Sequence, residues 1–196
     1  MSTNKPTTIV YLTGKPGVGK YTIAKVLAKD FGFIVCDNHL INNPIFELLQ
    51  YDGYAKIPDV AWDAIDRIRI EILKFLTLVP EHSYVLTNCL AETEEDRNLY
   101  EQVKNMAGTR GSLFIPVQLT ISKNAHLTRL TEHKRRERWK SIDPMDAEDN
   151  GPLLKINHPH LLTLDVSNLS ANDAARFIMN HVQGFKLNPI IRVELT

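Results

Sequence analysis

The stretch that decides the reading of this 196-residue chain is GKPGVGKYT, Gly14 to Thr22. Gly14, Gly19 and Lys20 stand at the spacing G-x-x-x-x-G-K, with Gly17 between them. The residues before it, TTIVYLT from Thr7 to Thr13, form a short β-branched apolar run ended by glycine, the pattern of a buried parallel strand. The residues after it place Ile23, Val26 and Leu27 at helical spacing and stop at Gly32, a natural C-cap. A glycine loop between strand and helix can turn its amides around phosphate oxygens, and the helix N-terminus adds positive potential. Lys20 would bring a full charge to the β- and γ-phosphates. The candidate nucleotide-binding set is therefore Gly14, Lys15, Pro16, Gly17, Val18, Gly19, Lys20, Tyr21 and Thr22.

Tyr21 departs from the usual pattern, which places Ser or Thr directly after the lysine as a Mg²⁺ ligand. The hydroxyl comes one residue later, at Thr22. In this respect the loop resembles that of adenylate kinases and their relatives, G-x-P-G-x-G-K-G-T, with Tyr21 in place of the last glycine. The resemblance implies ATP with Mg²⁺ held mainly by phosphates and water, with Thr22 or Asp37 as the nearest protein groups. A second resemblance covers most of the chain. GKPGVGKYTIAKVLA, DNHL, RIRIEIL and RLTEHKRRERWK are similar to a poorly characterised bacterial family of P-loop, shikimate-kinase-like proteins with G-V-G-K-x-T and H-N-H-L segments. Asp37 stands where that family often has His.

Outward from the loop, apolar runs alternate with helical patterns. FIVCD is a second strand. The segment from Asp59 to Val79 has Ala61, Ile65, Ile68, Ile72, Phe75 and Val79 on one helical face, with Asp59 as expected N-cap. SYVLTN, SLFIPVQLT and LLTLDV supply three more strands, although Pro116 interrupts the middle of the fourth. Between them come an acidic helix start at ETEEDRNLYEQVKNM, a helix KNAHLTRL capped by Ser122, and a closing helix with Ser170 and Asp173 as a capping-box variant. This order predicts an α/β three-layer sandwich with a five-stranded, mainly parallel sheet, of the nucleoside monophosphate or shikimate kinase-like P-loop type, in one domain. Residues 184–196 read as a tail or an extra edge strand.

Ligands of parallel sheets sit beyond the strand carboxyl ends, where CDNHLINNP follows the second strand. Asp37 could take a proton from an acceptor hydroxyl or order Mg²⁺ through water, and Asn38 and His39 could hydrogen-bond the acceptor. The alternative is that Asp37 caps the following turn and His39 packs on it. Chloramphenicol phosphotransferases and shikimate kinases use an aspartate at the comparable place, which the resemblance carries to Asp37. No acid ends the third strand, which closes on Thr87 and Asn88; Asp165 reads as a strand-end turn residue. Of Arg67 and Arg69, two apart on a helix, at most one can face a substrate. The shikimate-kinase resemblance assigns Arg69 to an anionic acceptor, and a surface salt bridge is the alternative.

RLTEHKRRERWK, followed by the helix-breaking SIDPMDAEDNGP, reads as a basic lid over about 129–152, with Arg129 and Arg135 or Arg136 stabilising charge on a transferred phosphoryl group. A solvated helix face in which Glu132 and Glu137 pair with these cations is the alternative. Lys+Arg and Asp+Glu each total 23, so no global field favours nucleic acid, and Trp139 is the lone aromatic in the basic run. Cys36 and Cys89, the only cysteines, read as buried reduced thiols. MSTNKPTT lacks a signal-peptide apolar region and no run could span a membrane, so a cytoplasmic protein is expected. The sequence thus points to an ATP-dependent kinase of a small-molecule acceptor. The competing reading is a nucleotide-binding module or slow ATPase in which Tyr21 has ended efficient transfer.

Overall fold

The computed structural model describes residues 7–52, 55–130 and 151–187. Five strands, β1 (Thr8–Thr13), β2 (Ile34–Asp37), β3 (Tyr84–Asn88), β4 (Leu113–Thr120) and β5 (Leu162–Asp165), form one parallel sheet in the order β2-β3-β1-β4-β5. The helices are α1 (Lys20–Phe31), α2 (Asn38–Leu48), α3 (Asp59–Leu78), α4 (Glu94–Thr109), α5 (Lys123–Leu130) and α6 (Ala171–Leu187).

The period of two in β1 sorts the core into two layers. Ile9 and Tyr11 pack with Phe46 of α2, Ile65 of α3 and Val103 of α4 on one face, whereas Val10 and Leu12 meet Ile23 and Leu27 of α1 and Ile178 and Val182 of α6 on the other. All six residues of β1 are buried, which puts the end of this strand, and the loop that follows it, at the centre of the sheet. Each fully buried Leu or Ile contributes about 1.5–3 kcal/mol of transfer free energy.

Several local expectations meet their structural counterparts. Gly32 caps α1 in the left-handed region, φ 74°, with its amide on Ala28 and Leu27 carbonyls. The acidic start of α4 places Glu94, Glu95 and Asp96 in its first turn, where Thr93, not singled out in the sequence, accepts the Asp96 amide. Ser170 accepts the Asp173 amide at 3.1 Å and donates to the Asp173 carboxylate at 2.6 Å. Pro116 is tolerated inside β4 because β5 pairs only from Val117 onward, so its missing N–H falls before that ladder begins.

Others are corrected. The N-cap of α3 is Pro58, whose carbonyl accepts the Ala61 amide at 2.9 Å; Asp59 is the first helical residue and acts through its charge near the positive helix end. The buried stripe of α3 is Ala61, Ile65, Leu73 and Leu76, with Phe75 59% exposed, because the helix divides its packing between α2 and α4. No element was expected between Asp37 and Asp59, yet α2 forms there around Pro44. Burial of Ile41 and Phe46 outweighs the turn preference of the Asn-Asn-Pro run. Residues 184–187, read as tail or strand, continue α6; 188–196 lie outside the described residues. So do residues 131–150 of the expected 129–152 lid, with Arg135 and Arg136. The end of that stretch is tied down: Ala91 bridges Leu153, the Glu92 amide donates to the Pro152 carbonyl at 3.0 Å, and Leu154 is buried.

Candidate functional site

The carboxyl ends of the parallel strands open into a cleft of ≈ 790 Å³. On one side is the glycine loop joining β1 to α1. Gly14, Gly17 and Gly19 hold φ values of 141°, 83° and 107°, all outside the range ordinary side chains adopt. A Cβ on Gly14 would stand 2.6 Å from the Leu119 carbonyl oxygen, so the loop rests directly on β4. Val18 is buried as its anchor, while Pro16, Gly17, Gly19, Lys20, Tyr21 and Thr22 line the cleft. The Lys20 ammonium curls over the loop and donates to the Gly14 carbonyl at 2.6 Å and the Lys15 carbonyl at 2.9 Å. That places a cation at the centre of an amide-rich cradle, the arrangement an anionic phosphate needs. Tyr21 sits in the first turn of α1 with the Lys25 ammonium 5.1 Å from its ring centroid.

Helix α5 holds this loop from above. The buried His126 donates from Nε2 to the Pro16 carbonyl at 2.5 Å. Arg129 donates through Nη1 to the Val18 carbonyl at 2.9 Å and through Nη2 to the Val166 carbonyl at 2.7 Å. One planar guanidinium therefore ties the glycine loop to the β5–α6 connection while lining the cleft. His126 carries no motif of its own; its signal is only that it lies three residues before Arg129 on one helical face.

Across the cleft, Asp37 ends β2 and is buried. Its carboxylate does not cap α2, although Asp37 occupies the N-cap position. It accepts the Thr87 hydroxyl at 2.5 Å instead. The Thr87 oxygen also accepts the Asn38 amide at 3.2 Å, and Asn88 links Asn38 (2.9 Å) to the hydroxyl of buried Tyr11 (3.1 Å). Burial raises the Tyr11 hydroxyl far above its ordinary pKa, so it serves as a neutral donor. Of Thr87 and Asn88, which stand where an acid was missing from the third strand, Thr87 thus orients the acid on the second and Asn88 holds the neighbouring Asn38.

His39 lines the cleft and contacts the Asn43 side chain at 3.2 Å. Arg69 is paired with Asp66 and reaches the cleft only by donating to Asn42, at 3.5 Å. Arg67 is exposed. Asp165 accepts the Ser167 amide and hydroxyl in a strand-end turn, bonds that lower its pKa. Cys36 is buried, its thiol pushed up to about 11 chiefly by that burial. Cys89, expected to be buried, is exposed and lines the cleft because β3 ends before it.

No protein-family model matches this chain, and comparison with curated proteins finds no match. Solved structures do match. A candidate kinase from Chloroflexus aurantiacus j-10-fl superposes with a TM-score of 0.66 at 17% identity, covering 93% of this chain and 99% of its own. A gluconokinase from Sinorhizobium meliloti 1021 gives 0.59 at 15% identity over 97% and 99%. The Mycobacterium tuberculosis APS kinase CysC, solved with AMPPNP and APS, gives 0.51 at 18% identity over 91% and 98%. The fold, a five-stranded parallel sheet flanked by helices, matches that of these three kinases. At such identities the likeness is one of architecture. Among the described residues no helix is long and apolar enough to cross a membrane.

A nucleotide held on a glycine loop of this kind ordinarily carries Mg²⁺. Tyr21 fills the position of the usual hydroxyl ligand, Thr22 is exposed in the first turn of α1, and Asp37 is a buried carboxylate across the cleft. Among the described residues no three His, Cys, Asp or Glu side chains converge as a metal site. Such a set fits an ion held mostly by phosphate oxygens and water.

Proposed function

We propose that the chain is an ATP-dependent phosphotransferase acting on a small-molecule acceptor. The observation that carries this reading is the pairing, across one cleft, of a phosphate cradle at Gly14–Lys20 with a buried, oriented carboxylate at Asp37. The loop amides and Lys20 bind the β- and γ-phosphates, and Arg129 keeps the loop in place from α5. Asp37, held by Thr87, faces the acceptor hydroxyl and takes its proton. Asn38 and His39 position that acceptor. Mg²⁺, when bound, neutralises phosphate charge; it would be reached through water by Asp37 or Thr22. Arg135, with the remainder of the basic run, is proposed to add positive charge over the transferred group.

The rival reading, a nucleotide-binding module or slow ATPase, is favoured by Tyr21 in the first turn of α1. ADP formation measured over a panel of nucleosides, nucleotides, sugars and hydroxy acids separates the two. A phosphotransferase shows one acceptor that stimulates turnover. Thermal stabilisation by ATP with no acceptor-stimulated turnover would establish the rival.

A further inference from the structure

The two halves of the cleft differ in chemistry. The glycine loop side carries Lys20 and Arg129. The far side, built by α2, α3 and the segment between them, presents Phe46, Tyr51, Ile57 and Trp62. Phe46 meets Tyr51 with ring centroids 5.1 Å apart and meets Trp62 edge-on at 6.0 Å. These three rings make one continuous wall. Phe46 is anchored in the core, whereas Trp62 keeps 40% of its surface exposed. The wall thus offers apolar area that a flat occupant would remove from water.

The polar groups beside this wall are amides. Asn88 and Asn38 are held by their mutual bond and by Tyr11, and the buried Asn42 turns its carbonyl oxygen toward Arg69, which leaves its NH₂ on the other side of the amide. His39 apart, the charged lining residues are Lys20, Lys25 and Arg129, on the glycine loop and on α1 and α5 beside it, and Asp37 across the cleft from them. The guanidinium of Arg69, which would suit an anion, is engaged with Asp66. An anionic acceptor would bring its charge toward a buried carboxylate, where low dielectric magnifies repulsion. A ringless polyol would leave the aromatic wall uncovered.

We propose that this half of the cleft takes an uncharged acceptor with a planar ring and a free hydroxyl, the ring against Phe46, Tyr51 and Trp62 and the hydroxyl toward Asp37. The proposal rests on the phosphotransfer reading above and gives its substrate class. Nucleosides and aryl-bearing alcohols share this chemistry. In the reaction the acceptor oxygen bonds to the γ-phosphorus as the bond to the β,γ-bridging oxygen breaks. The hydroxyl proton passes to Asp37 and ADP leaves.

The chain has two tryptophans, Trp62 and Trp139, so Trp139→Phe makes Trp62 the sole tryptophan reporter. With a non-hydrolysable ATP analogue bound, its fluorescence is titrated with thymidine, guanosine, 4-hydroxybenzyl alcohol, gluconate, AMP and glycerol, and ADP formation is measured with ATP in parallel. A nucleoside or the aryl alcohol is expected to quench saturably and to be phosphorylated, and whichever succeeds identifies the source. Trp62→Ala should raise the KM of that acceptor about tenfold or more with kcat little changed, the pattern of lost ground-state binding. Trp62→Phe should recover most of that KM. Turnover with gluconate, AMP or glycerol alone would overturn the proposal and leave phosphotransfer standing. Saturable quenching by a nucleoside or the aryl alcohol, with no ADP formed from any of the six compounds, would keep the ring site and overturn phosphotransfer. The absence of both quenching and turnover with thymidine, guanosine and the aryl alcohol, or a KM unmoved in Trp62→Ala, overturns the proposal.

Discussion

Thr87 and Asp37 are register partners at the ends of adjacent parallel strands, and the Thr87 hydroxyl donates to the Asp37 carboxylate at 2.5 Å. The sheet itself, rather than a flexible loop, therefore sets where the acid points. An oriented buried carboxylate is the group a proton transfer from an acceptor hydroxyl requires.

Thr87→Val keeps the shape and removes the hydroxyl. Steady-state kinetics should show kcat down by about tenfold or more from lost orientation, with the KM for ATP nearly unchanged. The same change strands buried polar groups on Asp37 and Asn38 and should cost about 1–3 kcal/mol. For a chain of this size that lowers Tm by about 2–4 °C per kcal/mol, read by thermal denaturation. Thr87→Ser should restore both.

Arg129 acts as a bracket between the glycine loop and the β5–α6 connection. Arg129→Met preserves most of the stem and deletes the fork; isothermal titration should show ATP binding weakened by about tenfold, the scale of two lost charge-assisted bonds partly offset by solvation. Arg129→Lys should recover only part of it, since one ammonium cannot serve carbonyls on two separate segments. Unchanged ATP affinity in Arg129→Met would remove the bracket from the account.

His158 gives the fold a pH dependence away from the cleft. Its Nδ1 accepts the His160 amide at 3.1 Å, and its ring stands edge-on to Phe114 at 5.3 Å. Burial foremost, then the neighbouring His160 and Lys104, lower its pKa from the ordinary histidine value. Unfolded chain therefore binds the proton first as pH falls, so this contribution is present above about pH 6.5 and is lost on descending through the lowered value. Thermal melts from pH 7.5 down to pH 5 should show Tm falling, and His158→Phe should flatten that slope. An unaltered slope in the variant would assign the pH dependence to other groups.

Much of this was legible in the chain. GKPGVGKYT sits where strand and helix patterns meet, and each of its glycines does in the structure what only glycine can do cheaply. Asp37 was legible as a strand-end acid, since a parallel sheet exposes those ends to ligands. Its partner was not, because Thr87 is fifty residues away and only strand register brings the pair together. Helix α2 was hidden by Asn42, Asn43 and Pro44, whose local preference for turns is overridden by burial of Ile41 and Phe46. The aromatic wall was hidden with it, because Phe46 and Trp62 come from two elements whose mutual packing no periodicity displays. His126 looks in sequence like any helical histidine; its partner Pro16 is 110 residues away in the chain.

On the proposed function, Asp37 serves transfer to an acceptor while the glycine loop binds ATP independently of it. The most direct measurement is Asp37→Asn, which retains shape and can still accept from Thr87, followed by acceptor-stimulated ADP formation and ATP affinity on the same protein. Turnover should fall by about 10²–10⁴-fold, the usual contribution of a positioned general base, with ATP affinity essentially that of the parent chain. Full acceptor-stimulated turnover in Asp37→Asn would contradict it.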